Sequence, residues 1–198
     1  MTHHFSHRFH KEMWIINPGE FMASGEDIVI GTILGSCVSV VLHDPVSLVG
    51  GMNHFLLADV GYHVDVDSPQ FLITKGRFGI HAMELLINEM LKKGAVRKEL
   101  KAKVFGGANM LISSNAEGST VPQKNVEFAM RFLEKERIPV VNSDVGGTTA
   151  RKIFLMPRSF EVHKLVSVEK KRIERIERRE ENFAARIARL LNGENTAP

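Results

Sequence analysis

The sequence predicts an α/β (α+β) layered sandwich, a mixed sheet with helices on one face and an appended C-terminal amphipathic helix. About seven strand-like segments and two helical ones follow one another in mixed order, unlike the regular alternation of a doubly wound sheet. With 198 residues, 43% of them hydrophobic, the chain can bury one sizeable core. Beyond residue 167 the pattern becomes charged and helical, which predicts the appended helix.

Apolar periodicity and turn residues predict the secondary-structure elements along the chain. Short aliphatic and β-branched runs that end at Gly, Pro, Asn or Asp indicate strands, and apolar residues at 3.6 spacing indicate helices. The first 13 residues hold four of the nine histidines and no apolar periodicity, which predicts a flexible leader. The predicted strands are 27–30, 38–42, 50–57, 102–105, 138–142, 152–156 and 160–166, and the predicted helices are 78–93 and 125–136.

Charge and composition divide the chain into a leader (1–13), a globular domain (14–166) and a tail (167–198). The net charge of +3 belongs to the C-terminal end, because residues 164–198 hold nine Lys and Arg against six Asp and Glu. The neutral remainder predicts no nucleic-acid partner. The sequence has neither a secretory signal nor an apolar run near the ~20 residues of a membrane span. With a single cysteine, no intrachain disulfide can form, so we expect a cytoplasmic protein without membrane insertion.

The tail carries apolar residues at heptad-like positions. One charged residue, Glu180, interrupts them at an a position. This pattern predicts an amphipathic helix that packs on a partner, on a second copy or on its own domain. The apolar positions are Ile173, Ile176, Phe183, Ile187 and Leu190.

The lone cysteine, Cys37, is a candidate nucleophile. Gly35 and Ser36 place it on a tight turn, where converging backbone N–H groups stabilise both a thiolate and the oxyanion of an acyl-transfer intermediate. A thiol nucleophile also needs a base within hydrogen-bond reach. The alternative is a buried cysteine that is only a small hydrophobe.

His54 is the candidate base, because it lies on the strand that follows the Cys37 strand. Neighbouring antiparallel strands would bring the two side chains together. His43, expected at the surface, and His81, expected in the first turn of a helix, are its rivals. Thr32 could orient the imidazole through its hydroxyl. A core histidine and a plain turn threonine remain the alternatives.

Two glycines and three asparagines elsewhere in the sequence are further candidates for the site. Gly106-Gly107 follows a strand without the spacing of a phosphate loop, which indicates tight turns or a close backbone approach beside Cys37. Together with Asn53 and Asn109 they are candidates for a substrate groove. For Asn109 and Asn125, fixing loops is favoured over binding a substrate amide.

Five segments occur in an order that resembles a known family. They are LGSCVSVVLHDP (34–45), GGMNHFLL (50–57), KVFGGANM (103–110), QKNVEF (123–128) and DVGGTTARKI (144–153). Together they resemble the CheD family of bacterial chemoreceptor glutamine deamidases over residues 14–166. The pairing of GSC with GGMNH is the most specific part of the likeness.

The resemblance implies a fold similar to the catalytic domain of the cytotoxic necrotizing factor toxins. It implies Cys37 as nucleophile, His54 as general base and acid, and Thr32 as third catalytic residue, with no metal or organic cofactor. The substrates implied are helical segments of methyl-accepting chemotaxis receptors, with recruitment to receptor arrays. In some relatives a CheC-type phosphatase binds the same face and inhibits.

Two other functions fit the sequence. One is a non-catalytic adaptor that binds receptors or a phosphatase, which the basic tail motivates. The other is a different thiol hydrolase activity, such as receptor methylesterase or transglutaminase-like transfer, because the same Cys–His pair supports either.

Overall fold

Two mixed sheets of five strands each lie face to face in the computed structural model of the chain. The structure describes residues 1–57, 76–109, 121–166 and 170–191, without the side chains of 76–78, 170–177, 188, 190 and 191. The strands are β1 (Thr2–Ser6), β2 (Lys11–Ile15), β3 (Phe21–Ser24), β4 (Val29–Leu34), β5 (Val38–Asp44), β6 (Val49–Asn53), β7 (Lys101–Gly106), β8 (Val140–Val145), β9 (Arg151–Met156) and β10 (Glu161–Val166), and the helices are α1 (Gly76–Lys92), α2 (Val121–Lys135) and α3 (Lys170–Leu191).

The strand orders are β1-β2-β4-β9-β10 in the first sheet and β3-β6-β5-β7-β8 in the second. Parallel pairs occur at β2 with β4 and at β7 with β8, and the other neighbours are antiparallel. The mixed α+β architecture agrees with the sequence prediction.

The core has two main parts. One lies between the sheets, where Ile30 and Leu155 of the first sheet meet Val41 of the second. The other lies on the far side of the second sheet, where α1 and α2 pack through apolar residues such as Leu86 and Leu133. The predicted helices 78–93 and 125–136 therefore bury the faces that their periodicity indicates.

The prediction of one mixed sheet is wrong, because the structure has two. Every residue of β5 is buried, with Val40 and Leu42 toward the helices and Val41 toward the first sheet. A strand that is apolar on both faces needs a cover on each side, and its sequence does not say whether that cover is a helix or a sheet.

The segment 1–13, predicted as a flexible leader, instead contributes strand β1 at the edge of the first sheet and the start of strand β2 beside it. Strand β1 pairs with β2, and the rings of His3 and Trp14 stack with centroids 4.1 Å apart. Backbone pairing to a preformed sheet holds this polar segment, and composition alone does not reveal such pairing. Strand β4 also extends to Leu34, so Thr32 lies on a strand and not in the predicted turn.

Among the helices described, none has the length and apolar character needed to cross a membrane.

Candidate active site

Cys37 lies in the turn between β4 and β5 and is fully buried. The Gly107 N–H donates to the Cys37 carbonyl oxygen at 2.8 Å. A Cβ atom on Gly106 would lie 2.2 Å from the same oxygen, and the φ of Gly106 is +110°, so the position requires glycine. Gly106 and Gly107 thus make the close backbone approach to Cys37 that their sequence indicates.

The carbonyl groups of this turn are held on one side. The Gly35 carbonyl accepts from the Ala108 N–H at 2.8 Å, and the Ser36 carbonyl accepts from Asn125 Nδ2 at 3.0 Å. In a trans peptide the N–H points opposite to the C=O, so the N–H groups face the other side. We call the N–H groups of Gly35, Ser36 and Cys37 the amide cluster. Asn125 fixes this loop, as the sequence favours.

His54 directly follows β6, and two pairs of backbone hydrogen bonds place it beside Cys37. The Gly19 N–H donates to the His54 carbonyl at 2.7 Å, and the His54 N–H donates to the Glu20 carbonyl at 2.9 Å. The next residue of the chain exchanges two hydrogen bonds with Val38 on β5. A ring nitrogen of His54 consequently lies within 4.8 Å of the Cys37 sulfur. The structure thus brings together the pair that the sequence proposes.

Thr32 sets the orientation and tautomer of the His54 ring. Its hydroxyl donates to the Ile16 carbonyl oxygen at 2.9 Å and lies 2.7 Å from His54 Nδ1. A hydroxyl has one proton, so the oxygen must accept from Nδ1–H, which leaves a lone pair on Nε2. His54 Nε2 is buried and has no hydrogen-bond partner in the part of the chain described. The imidazole is therefore arranged as a base toward the thiol.

The protonation states match this closed, dry environment. Burial raises the pKa of the Cys37 thiol well above its usual range, and the charge of Glu180 and its hydrogen bond to Cys37 raise it further. Burial also lowers the pKa of His54 from 6.5 to about 3, and the charge of Arg179 contributes to this shift. In this state the pair is a thiol and a neutral imidazole.

Glu180 of α3 fills the space in front of the amide cluster. Its Oε1 accepts from the N–H of Gly35 at 2.9 Å and from the N–H of Cys37 at 3.3 Å. Its Oε2 accepts from the N–H of Ser36 at 2.8 Å and from the Ser36 hydroxyl at 2.5 Å. Glu180 was not predicted from the sequence to belong to the site. The available signal was its position as a charge on the apolar face of the tail helix.

The other candidates lie in different places. Asn53 is buried on the helix side of the second sheet, where its Oδ1 accepts from Val40 and its Nδ2 donates to the Ala82 carbonyl. It holds α1 and does not line the site. Asn109 is exposed beside the turn, and its N–H donates to the Gly147 carbonyl at 2.8 Å.

The rival histidines are not part of the site. His43 is buried on β5, contrary to the surface position expected, and its ring stacks on Phe160 at 4.9 Å. His81 is exposed on α1. The structure therefore leaves His54 as the histidine beside the cysteine among the residues described.

Cys37, His54 and Glu180 also form a group of potential metal ligands, with their ligand atoms within 4.8 Å of one another. Such a set has the chemistry to hold zinc. Each Glu180 oxygen, however, already accepts two hydrogen bonds from the turn. The carboxylate is thus bound as an anion by N–H and O–H donors, which is the task of an oxyanion site.

A thiol beside an imidazole, a hydroxyl that orients the imidazole and converging N–H donors form the arrangement of a thiol hydrolase. A family model described as CheD chemotactic sensory transduction matches residues 67–164. The Shewanella oneidensis protein named probable chemoreceptor glutamine deamidase CheD 1 is 38% identical over 96% of this chain and 89% of its own length. The chain belongs to the CheD family.

Further relatives agree. The probable chemoreceptor glutamine deamidase CheD of Janthinobacterium is 43% identical over 80% of this chain and 75% of its own length. That of Borrelia turicatae is 43% identical over 82% and 93%. The crystal structure of the Bacillus licheniformis hypothetical protein YfiH aligns with 65% of this chain and 51% of its own, at 14% identity and a TM-score of 0.42, which is too low to establish a shared fold.

Proposed function

We propose that the chain is a chemoreceptor glutamine deamidase, a protein-glutamine glutaminase that uses Cys37 as nucleophile. The observation that carries this proposal is the convergence of the Cys37 sulfur, the His54 ring and the amide cluster at one point. The names of its relatives supply the substrate, a glutamine of a chemotaxis receptor.

The geometry supports a reaction in two stages. His54 Nε2 takes the thiol proton, and the Cys37 thiolate attacks the carbon of the glutamine carboxamide. The amide cluster holds the oxyanion that forms, and Thr32 keeps the imidazolium in place. His54 returns the proton to the leaving nitrogen, the C–N bond breaks and ammonia departs. His54 then activates water, which hydrolyses the thioester to glutamate and frees the thiol.

The domain organisation, the location and a further partner of the enzyme also belong to this proposal. Residues 14–166, together with strand β1 and the start of strand β2, form the deamidase domain. Its fold is similar to the catalytic domain of the cytotoxic necrotizing factor toxins, and residues 167–198 form the appended tail. The enzyme acts in the cytoplasm, where it is recruited to receptor arrays. A CheC-type phosphatase is a further partner, and the reaction uses no cofactor.

Mass spectrometry of receptor cytoplasmic fragments from the same cell tests the function. The fragments are incubated with the wild type or with Cys37→Ala, at receptor concentrations raised until turnover saturates. We expect specific glutamines to change NH2 for OH with release of ammonia, with the wild type only.

Three other results would contradict the proposal in different ways. Receptor binding by both proteins without any change of mass favours the adaptor. Loss of methyl groups from receptor glutamates favours a methylesterase. Deamidation by Cys37→Ala removes the assigned nucleophile.

A further inference from the structure

One face of α3 covers the candidate active site. The Arg179 guanidinium donates to Asn17 Oδ1 in the loop that follows β2. The Phe183 ring lies so close to Gly19 that a Cβ atom there would be 2.6 Å from it. Ile187, one turn further, is buried. The contacts recur at intervals of three to four residues, so they belong to one helix face.

Glu180 is the buried charged residue of this face, and it is 4% exposed. Burying a carboxylate is unfavourable unless hydrogen bonds replace the lost water. The amide cluster and the Ser36 hydroxyl provide four such bonds, and Gly35 and Glu180 are 145 residues apart in the chain. A specific site for the side chain explains why a glutamate occupies a heptad position whose neighbours in the pattern are apolar.

The group that fills the site is chemically the product of the proposed reaction. Deamidation of a glutamine leaves a glutamate side chain in front of the amide cluster. Glu180 is a glutamate side chain on a helix, bound to the donors that would hold the reacting carbonyl oxygen. One of its carboxylate oxygens lies within 4.8 Å of the Cys37 sulfur.

Docking of α3 also makes the site inaccessible. Cys37 is fully buried and His54 is 2% exposed, and Arg179 and Glu180 line the small cavity that remains beside His54. With Cys37 buried in this way, the sulfur is closed to a receptor side chain in the state that the structure describes. The raised pKa of the Cys37 thiol in this state agrees with an inactive form.

We propose that α3 is a built-in inhibitor of this enzyme, in which Glu180 occupies the oxyanion site as a product mimic and must withdraw before a receptor glutamine enters. This inference rests on the proposed deamidase function. The inhibition is intramolecular, and a receptor helix competes with α3 for the same face.

The substitution Glu180→Gln turns the mimic into a substrate. We expect the introduced glutamine to lose ammonia and become glutamate in the full-length protein, as read by mass spectrometry of the tail peptide. The exposed neighbour variant Glu181→Gln should keep its glutamine, and so should Glu180→Gln combined with Cys37→Ala. That double variant should also stay unchanged when wild-type protein is added, because the reaction occurs within one chain.

The substitution Glu180→Ala removes the mimic. Because the lost bonds involve a charged group, we expect alkylation of Cys37 by iodoacetamide to be about tenfold faster or more. Cys37 is the only cysteine, so the reagent reports on this site alone. Receptor deamidation should accelerate by a similar factor, and Glu181→Ala should behave like the wild type in both assays.

The outcomes separate the two proposals. The inhibitor role of α3 is disproved, and the deamidase function stands, in either of two cases. In the first, Cys37 of Glu180→Ala is alkylated, and receptor fragments are deamidated, at wild-type rates. In the second, the introduced glutamine of Glu180→Gln persists although the variant deamidates receptor fragments. If alkylation accelerates but no variant deamidates a receptor fragment or itself, the deamidase function fails while the docking of α3 is retained. Conversion of the double variant by added wild type would overturn the intramolecular part.

Discussion

The turn that carries Cys37 and the helix that covers it are held in different ways. Backbone hydrogen bonds from Gly107 and Ala108 and the side chain of Asn125 fix the turn within the core between the sheets. Helix α3 contacts the domain along one face, while Arg178, Glu181 and other residues of it are exposed. The donors of the site are therefore built into the sandwich, whereas the acceptor that fills them lies on an appended element.

This difference indicates that the Cys37 turn is the rigid region and that α3 is the region able to move. An oxyanion site works because its donors are oriented before the reaction, and a buried turn provides that orientation. A helix held along one face can leave at a lower free-energy cost than a strand of the core. The turn thus carries the reactive groups, and α3 controls access to them.

The largest effect is expected from Cys37→Ser, which tests the turn. The hydroxyl is a much poorer nucleophile at neutral pH, so we expect receptor turnover to fall by about four orders of magnitude. The free energy of unfolding should fall by no more than about 1–3 kcal/mol, because the side-chain volume is nearly conserved and the cost is that of burying a hydroxyl. Ammonia release and urea denaturation measure the two quantities, and turnover similar to wild type would exclude Cys37 as nucleophile.

The next effect concerns Thr32. Thr32→Val removes the acceptor of His54 Nδ1–H and the donor to Ile16, so the ring loses its fixed tautomer. We expect turnover to fall by about ten- to a hundredfold, with a changed pH profile. Thr32→Ser keeps the hydroxyl and should restore most of the turnover. Equal loss in both variants would mean that packing of the methyl group, and not the hydrogen bond, matters.

A pH-dependent effect on stability is expected from His54. Its pKa is about 3 in the folded chain and 6.5 as the ordinary value, so the unfolded chain binds the extra proton between these limits. The contribution of His54 to the free energy of unfolding is therefore fully present above pH 6.5. It is lost as the pH decreases toward 3, by up to about 1.4 kcal/mol per pH unit. Urea denaturation at several pH values should show this slope in the wild type and lose it in His54→Gln. An unchanged slope would mean that other groups cause the acid sensitivity.

The smallest effect is expected from Phe183→Ala, which weakens the docking of α3 without touching the amide cluster. The ring is only partly buried, so we expect Cys37 alkylation to rise by a few-fold, less than with Glu180→Ala. The exposed neighbour variant Asn182→Ala is the matched control. An alkylation rate equal to that of the wild type would show that the contact between Phe183 and Gly19 does not stabilise the docking of α3.

Local patterns predicted much of the chain. The apolar periodicity of α1 and α2 and the aliphatic runs of β5, β7, β9 and β10 predicted elements within a few residues of their bounds. The unique Cys37 on a Gly-Ser turn, followed by His54 one strand later, predicted the central pair, because a short connection between antiparallel strands places such residues side by side.

Elements that depend on distant pairing were missed. Strands β2 and β3 pair with β4 and β6 from later in the chain, and β1 adds to β2 as a hairpin at the sheet edge. The residues of these three strands do not alternate strongly. Thr32 was a candidate to orient the imidazole, but its place on β4, in contact with a ring 22 residues away, was not predicted. Such contacts carry no period that a window of sequence can display.

The sequence by itself determined the composition of the reactive pair, the two core helices and the family to which the motifs are similar. Tertiary structure decided that two sheets enclose the pair, that the Thr32 hydroxyl lies against the imidazole and that Glu180 fills the space in front of the amide cluster. The physical reason is range: periodicity reports which face of an element is apolar, but only the folded chain determines which buried acceptor meets a set of N–H donors 145 residues away.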